Sequence, residues 1–167
     1  MAREMGALMA AIIMAGRTGA AYAAQLGTMQ VNEEIDALRT LGISPVEFLV
    51  LPRMLALTLM MPLLTLYADL VGILGGAFVA LTMLDVNIVA YYYQTTGSVD
   101  LKHFGVGLIK GVVFGALVAM SGCWRGMQSG RSSAAVGLST TAAVVTAIVS
   151  IVVADAIFTV IFNVLGI

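Results

Sequence analysis

Four long apolar runs, each long enough to cross a bilayer, constrain this chain more than any other feature of its sequence. Crossing the hydrocarbon core takes about 20 residues of helix. Runs of at least that length lie at 5–29, 54–84, 104–124 and 134–167. Only 10% of the residues are charged, whereas soluble domains carry roughly a quarter, so water cannot be the main solvent. We therefore predict an all-α, polytopic membrane bundle with four transmembrane helices, forming a single domain over residues 1–167.

Charge and cysteine content exclude several classes of function. The net charge is −1 and the pI is near 5.7, without the clustered Lys and Arg that neutralise phosphates, so nucleic acid is not a predicted partner. One cysteine, Cys123, and one histidine, His103, cannot build a disulfide or a zinc site. The sequence has neither a G-x-x-x-x-G-K-[ST] phosphate loop nor a G-x-S-x-G nucleophile elbow. We expect no catalytic residue, no metal site and no nucleotide hydrolysis by this chain itself.

The Lys and Arg content of the connections predicts the orientation, because basic connections stay in the cytoplasm. Two arginines lie in 30–53, one lysine in 85–103 and two arginines in 125–133. This order predicts that the first span enters from the outer face and that the C-terminus ends there. A protein that starts in the cytoplasm would need an earlier crossing, so we expect this chain to be incomplete. Without that crossing, small residues of the first span would face lipid, namely Gly16, Gly19, Ala20 and Ala23.

The connection between the first two spans contains a predicted amphipathic helix. In VNEEIDALRTLGISP, apolar residues recur near helical spacing over 31–42 while acidic residues occupy the other faces. Asn32 is the predicted N-cap, and Gly42 and Pro45 end the helix. Helices that lie on anionic lipid favour Lys and Arg. The acidic composition therefore favours a cytoplasmic protein partner over the membrane surface, which stays as the alternative.

Ionisable side chains inside the spans are costly, by roughly 2.5 kcal/mol or more each, so they pair, line a cavity or snorkel. Lys110 either lines a cavity or snorkels, and Glu4 is its predicted counter-ion because both helices begin at the outer face. Asp69 and Asp155 allow two interpretations, a structural polar contact or transport chemistry. Arg17 is expected near the cytoplasmic end of its span or facing protein.

The outer connection 85–103 carries three consecutive tyrosines. Tyrosine side chains are enriched at the boundary between lipid and water. An aromatic anchor is therefore the favoured interpretation, and a docking surface for a partner outside the cytoplasm is the alternative.

The order of several motifs resembles a known family. AGRTGAAYAAQLGTM is followed by EEIDALRTLGISP and a Pro-Arg pair, then by DLKHFGVGLIKGVVFG and GMQSGRSSAAVGLSTTAAVV. This combination is similar to the MlaE/YrbE-type ABC transporter permeases, the membrane subunits of Mce-associated lipid transport. The resemblance covers nearly all of the chain and corresponds to the C-terminal two-thirds of the family pattern.

The resemblance implies a partner set as well as a fold. It implies a permease subunit that is not itself an enzyme, in the bacterial inner membrane, paired with a second permease copy. A separate cytoplasmic ATPase would bind ATP and Mg²⁺, and a periplasmic Mce-domain protein would exchange phospholipid or a similar lipid with the membrane. The helix at 31–42 corresponds to the coupling helix, with Glu33, Glu34, Asp36, Leu38 and Arg39 as candidate ATPase contacts.

The same resemblance assigns a substrate pathway. Arg3, Glu4 and Lys110 match charged positions of that pathway, where Lys110 or Arg3 would hold a lipid phosphate and Glu4 would bias or release it. The alternative function is a non-transporting membrane scaffold that anchors Mce-type proteins. An intramembrane enzyme that acts on lipid is the least favoured hypothesis. The carboxylates of Glu4, Asp69 and Asp155 lie on different segments without an accompanying histidine or metal site.

Overall fold

A computed structural model describes residues 4–83, 87–98 and 101–165 of the chain, and these residues form helices and turns without a strand. Two short π-helical turns, Ala15–Gly19 and Val46–Val50, interrupt or precede the α-helices. The α-helices are α1 (Met5–Met14), α2 (Ala20–Val31), α3 (Glu34–Thr40), α4 (Leu51–Met83), α5 (Ile88–Ser98), α6 (Leu101–Met127) and α7 (Ser133–Val164).

Four of the helical stretches are long and apolar enough to cross a membrane: Met5–Val31, Val46–Thr82, Lys102–Met127 and Ser133–Val164. The shortest has 26 residues, which is about 39 Å at 1.5 Å per residue and exceeds a hydrocarbon core of about 30 Å. The predicted all-α polytopic bundle is confirmed. The second helix begins well before the predicted run at 54–84, because the residues before Arg53 are also mostly apolar and Arg53 does not interrupt the helix.

The first span is one continuous helix with a π turn in its middle. Arg17 lies in that turn, thirteenth of 27 residues, so the expectation that it lies near the cytoplasmic end is wrong. Above the turn α1 packs on α4 and α6, and below it α2 packs on α6 and α7. A π turn adds a residue to one helical turn and rotates the face that follows, which gives the two halves different neighbours.

Helix α6 lies at the centre of the bundle, and glycines on it allow the first span to approach closely. A Cβ atom at Gly122 would lie 2.7 Å from the carbonyl oxygen of Gly19, and one at Gly126 would lie 2.8 Å from the Cβ of Leu26. Ala23 is completely buried in the same contact. The expectation that Gly19 and Ala23 face lipid is therefore wrong, because α6 covers them, whereas Gly16 is exposed.

The tyrosine segment forms a helix of its own. Helix α5 folds back on the C-terminal half of α4, where the Tyr91 hydroxyl donates a hydrogen bond to the carbonyl oxygen of Ile73 at 2.9 Å. Tyr92 and Tyr93 remain exposed, with their rings edge to face at 6.1 Å. The anchoring role of these two rings stays a prediction.

Replacing Gly122 with Ala tests the close approach of α6 and the first span. The new methyl group would meet backbone atoms that cannot rotate away, so the helices must separate, and we expect a loss of about 1–3 kcal/mol in the free energy of unfolding. Gly137→Ala is the matched control, since a Cβ atom there meets nothing within 4 Å. Thermal unfolding followed by circular dichroism in one detergent measures both, and equal stability of the two variants would contradict the contact.

Candidate functional site

A buried lysine joins three helices in the half of the bundle away from α3. The Lys110 side chain has no exposed surface, and its Nζ lies 2.5 Å from Oε2 of Glu4 and 2.9 Å from Oδ1 of Asp155. It also donates a longer hydrogen bond, 3.4 Å, to the hydroxyl of Thr159. We call these four residues the Lys110 cluster.

The local sequence explains how each member reaches the cluster. Glu4 immediately precedes α1, so its side chain lies at the N-terminal end of the first span. Asp155 and Thr159 are one turn apart on α7 and therefore share a face. Lys110 is followed by Gly111, where a Cβ atom would come 2.8 Å from the Thr65 hydroxyl, so α4 closes tightly beside the lysine.

The electrostatics of the cluster leave the ammonium group fully engaged. An ammonium has three N–H donors, and three acceptors lie within reach of Nζ. Two carboxylates face one cation, so the cluster carries an excess of negative formal charge. A second anion can bind Lys110 only by replacing one of its present acceptors. Glu4 is the more accessible carboxylate, with 36% of its side chain exposed against 20% for Asp155.

The structure confirms the predicted pairing of Glu4 with Lys110 and adds two partners. Of the predicted pathway residues, Arg3 lies outside the described residues. For Asp155, bonding to a neighbouring helix was one of the open interpretations, and Thr159 was not anticipated. The spacing of residues along the α6–α7 hairpin could have indicated that Asp155 contacts Lys110. Lys110 lies 17 residues before the end of α6, and Asp155 lies 22 residues after the start of α7. Side chains at such spacings reach a similar depth in an antiparallel pair.

Asp69 has a different environment from the Lys110 cluster. Its carboxylate is 2% exposed and packs directly against Gly6 of α1, and its Oδ1 has no hydrogen-bond partner among the described residues. Any side chain at Gly6 would occupy the space that this carboxylate fills. Thr65, one turn earlier, donates instead to the carbonyl oxygen of Met61 at 2.9 Å. Within the described ranges no three His, Cys, Asp or Glu side chains are grouped closely enough to hold a metal ion.

The short helix at the opposite end of the bundle, α3, begins later than the sequence predicts. Helix α2 continues to Val31, and Glu33, in the left-handed conformation with φ 59°, takes the N-cap position predicted for Asn32. The predicted end at Gly42 is confirmed. Gly42 has φ 75°, its N–H bonds to the carbonyl of Arg39, and the N–H of Ile43 bonds to the carbonyl of Leu38. This is a Schellman cap, which favours glycine because of the positive φ.

Helix α3 is fastened to the turn between α6 and α7. Ile35 is completely buried. Arg131 of that turn bonds to Asp36 at 2.8 Å and lies 3.9 Å from Glu33. Arg131 was not among the predicted functional residues, although the orientation argument already placed its turn on the same side as α3.

The predicted contact residues of α3 therefore divide into two groups. Glu33 and Asp36 contact Arg131 within the chain, and Asp36 also bonds to Arg39 at 3.2 Å. Glu34 and Arg39 are exposed, and Leu38 is half-buried. The surface of α3 that is free for a partner is thus formed mainly by Glu34, Leu38 and Arg39.

Comparison with known proteins identifies the family of this bundle. The family described as Permease MlaE matches residues 1–161. The chain belongs to the MlaE permease family. This confirms the resemblance found in the sequence motifs.

Relatives in this family are found in bacteria and in plants. A probable ABC transporter permease protein of Rickettsia typhi is 41% identical over 143 residues, which cover 86% of this chain and 55% of that protein. A similarly named protein of Synechocystis is 37% identical, with 86% of this chain and 54% of that protein covered. The chloroplastic protein TRIGALACTOSYLDIACYLGLYCEROL 1 of Arabidopsis thaliana is 36% identical over 86% of this chain and 41% of its own length. The MlaE-family chain spans about half the length of the bacterial relatives. The two bacterial relatives are named as probable ABC transporter permeases, and the four long apolar helices of this chain are those of a multi-pass membrane protein.

Removing the lysine tests whether the two carboxylates depend on it. Lys110→Met removes the cation that Glu4 and Asp155 share, so we expect a loss of about 3 kcal/mol in the free energy of unfolding. This is the lower end of the range for a broken buried pair, because Glu4 is partly exposed. Adding Asp155→Asn to that variant should restore part of the loss. Denaturant unfolding of the two single variants and the double variant measures the coupling, and strictly additive losses would contradict it.

Proposed function

We propose that this chain is the permease subunit of an ABC transporter that moves phospholipid, or a similar lipid, between the bacterial inner membrane and a periplasmic Mce-domain carrier. The observation that carries the proposal is the completely buried Lys110 ammonium, held by two carboxylates between three helices. Charged groups at such depth are costly and commonly mark substrate pathways. The name of the Arabidopsis relative contains a glycerolipid, which supports a lipid substrate.

The Lys110 cluster binds the lipid phosphate by exchange of acceptors. A phosphate takes the place of Glu4 beside Nζ, because Glu4 is the more exposed carboxylate and lies outside the helices. Asp155 and Thr159 continue to hold the ammonium during the exchange. When Glu4 returns, it competes with the phosphate for the same donor and releases the lipid. The low dielectric of the site makes both attractions stronger than in water.

Helix α3 couples this exchange to an ATPase. The ATPase, a separate subunit that binds ATP and Mg²⁺, contacts Glu34, Leu38 and Arg39. Its movement passes through Arg131 to α6 and α7, which carry Lys110 and Asp155 at their outer halves. Glu4 belongs to the first span, so a shift of the α6–α7 pair changes its distance from Lys110.

Three further features complete the proposed assembly. A second copy of the permease provides the other wall of the lipid cavity. An Mce-domain protein binds at the outer end, where Tyr92 and Tyr93 of α5 are exposed. The membrane is the inner membrane of a bacterium, although the relative from Arabidopsis is chloroplastic.

Loss of the Lys110 charge should strongly lower the proposed transport, while the permease stays in complex with its ATPase. For Lys110→Met in the complex with its ATPase, we expect lipid transport between proteoliposomes and carrier to fall at least about tenfold, as for one lost charge-assisted hydrogen bond. Lys102→Met is the matched control, because Lys102 is exposed on the same helix two turns earlier. Transport by Lys110→Met at the rate of the control would refute the pathway role. Normal assembly without any lipid transport by the unmodified chain would favour the scaffold alternative.

Charge reversal on the free surface of α3 tests the ATPase contact. Glu34 is exposed and bonds only to Asn32 among the described residues, so Glu34→Lys changes the surface without breaking the Arg131 contacts. We expect less ATPase to co-purify with this variant. Glu47→Lys, an equal charge change on an exposed residue outside α3, should leave co-purification unchanged. Full recovery of the ATPase with Glu34→Lys would show that the acidic surface is not the docking site.

A further inference from the structure

A wide-open, mostly apolar cavity with Arg53 at its edge lies between the first and second spans at the α3 end of the bundle. Helix α1 packs on α4, whereas α2 packs on α6 and α7, so the two spans separate below the π turn. The space between them forms a cavity of about 410 Å³. It is lined by Ala24, Gln25, Thr28, Met29 and Arg53.

Arg53 is held at the edge of this cavity with most of its hydrogen-bonding capacity unused. Its guanidinium lies over the ring of Tyr22, 5.9 Å from the ring centre. Its two terminal nitrogens donate to the side-chain oxygen of Gln25 and to the carbonyl oxygen of Leu49, both at 3.4 Å. Such bonds are long for N–H···O contacts. A guanidinium has five donors in a planar fork, so several remain available towards the cavity.

The positive charge of Arg53 has no acidic partner in the described part of the chain. Arg39 and Arg131 at the same end of the bundle both bond to Asp36, whereas no described carboxylate lies within 4.0 Å of Arg53. None of the residues that line the cavity is acidic. The site therefore has a formal positive charge, and its electrostatics favour an anion.

The other lining groups suit the region where a phosphate joins a lipid glycerol. With its carbonyl oxygen accepting from Arg53, Gln25 directs its amide group as a further donor. The Thr28 hydroxyl donates to the carbonyl oxygen of Ala24 at 2.8 Å and so offers only an acceptor. Ala24 and Met29 supply apolar surface. Gln25 and Thr28 lie six and three residues before the end of α2 at Val31, or about 5–9 Å along the helix axis.

We propose that this cavity binds the phosphate of a phospholipid from the leaflet at the α3 end, with a preference for anionic headgroups. The fork of Arg53 matches two phosphate oxygens, and basic pockets between spans are known recognition sites for anionic lipids. Headgroups with an amine are disfavoured because no carboxylate lines the cavity to receive the amine. The cavity lies at the opposite end of the first span from Glu4, so the inference does not depend on the proposed function of the Lys110 cluster.

Native mass spectrometry of the full chain tests this site. The chain is titrated in detergent with phosphatidylglycerol or with phosphatidylcholine of the same acyl composition. We expect stronger retention of phosphatidylglycerol, and about tenfold weaker retention in Arg53→Gln, as for one lost charge-assisted hydrogen bond. Arg53→Lys should be intermediate because a lysine lacks the planar fork. Arg39→Gln removes an equal charge at the same end, from an arginine that bonds to Asp36, and should retain lipid as the unmodified chain does.

A second variant keeps the test decisive if Arg53→Gln fails to fold. Gln25→Glu places a carboxylate beside the guanidinium, which preserves a partner for Arg53 while repelling phosphate, so phosphatidylglycerol retention should again fall about tenfold. Equal retention by the unmodified chain and a folded variant at either position would overturn the proposal. Binding of glycerol 3-phosphate without any retention of phosphatidylglycerol would identify a site for soluble phosphates and overturn the proposal. Absence of retained lipid, with a photo-cross-link from position 53 to the ATPase, would assign the cavity to a protein contact and also overturn the proposal.

Discussion

An ammonium group that is completely removed from water must be surrounded by acceptors, and in this chain that requirement brings three helices to one point. Lys110 of α6 meets Asp155 and Thr159 of α7 and Glu4 at the start of the first span. Breaking any of these contacts inside a low-dielectric bundle is more costly than breaking them at a water-exposed surface. In the half of the MlaE-family bundle away from α3, the meeting of these three helices therefore depends on this single charge.

Close helix packing in the rest of the bundle allows the three helices to contact one another at Lys110. Glycines on α6 bring the backbones of the first span and of α4 within contact distance, at Gly122 and at Gly111. Helices in lipid gain little from the hydrophobic effect between them, and small residues permit the van der Waals contacts that replace it. Lys110 and the glycines of these contacts lie on the same helix, so α6 carries both the buried cation and the close approach of its neighbours.

The two ends of the bundle handle charge in different ways. At the end away from α3, one cation is shared by two carboxylates and is saturated. At the α3 end, Arg131 is neutralised by the acidic residues of α3, whereas Arg53 faces a cavity without an acidic group. A saturated cation requires exchange before it can bind an anion, but Arg53 can bind one directly. The first arrangement suits a step that must be controlled, and the second suits a permanent contact with the surrounding leaflet.

The sequence alone determined the number of spans, the acidic helix between the first two and the pairing of Glu4 with Lys110. These follow from local quantities: the length of apolar runs, the period of a short polar segment, and the depth of a charge counted from the end of its helix. Only the tertiary structure decided that Asp155 and Thr159 complete the cluster and that α6 covers Gly19 and Ala23. It also decided that Arg131 fastens α3 and that α5 is a helix. Each of the contacts depends on how a helix is rotated about its axis. Lipid and protein interior are almost equally apolar, so hydropathy does not record which face of a membrane helix meets a neighbour.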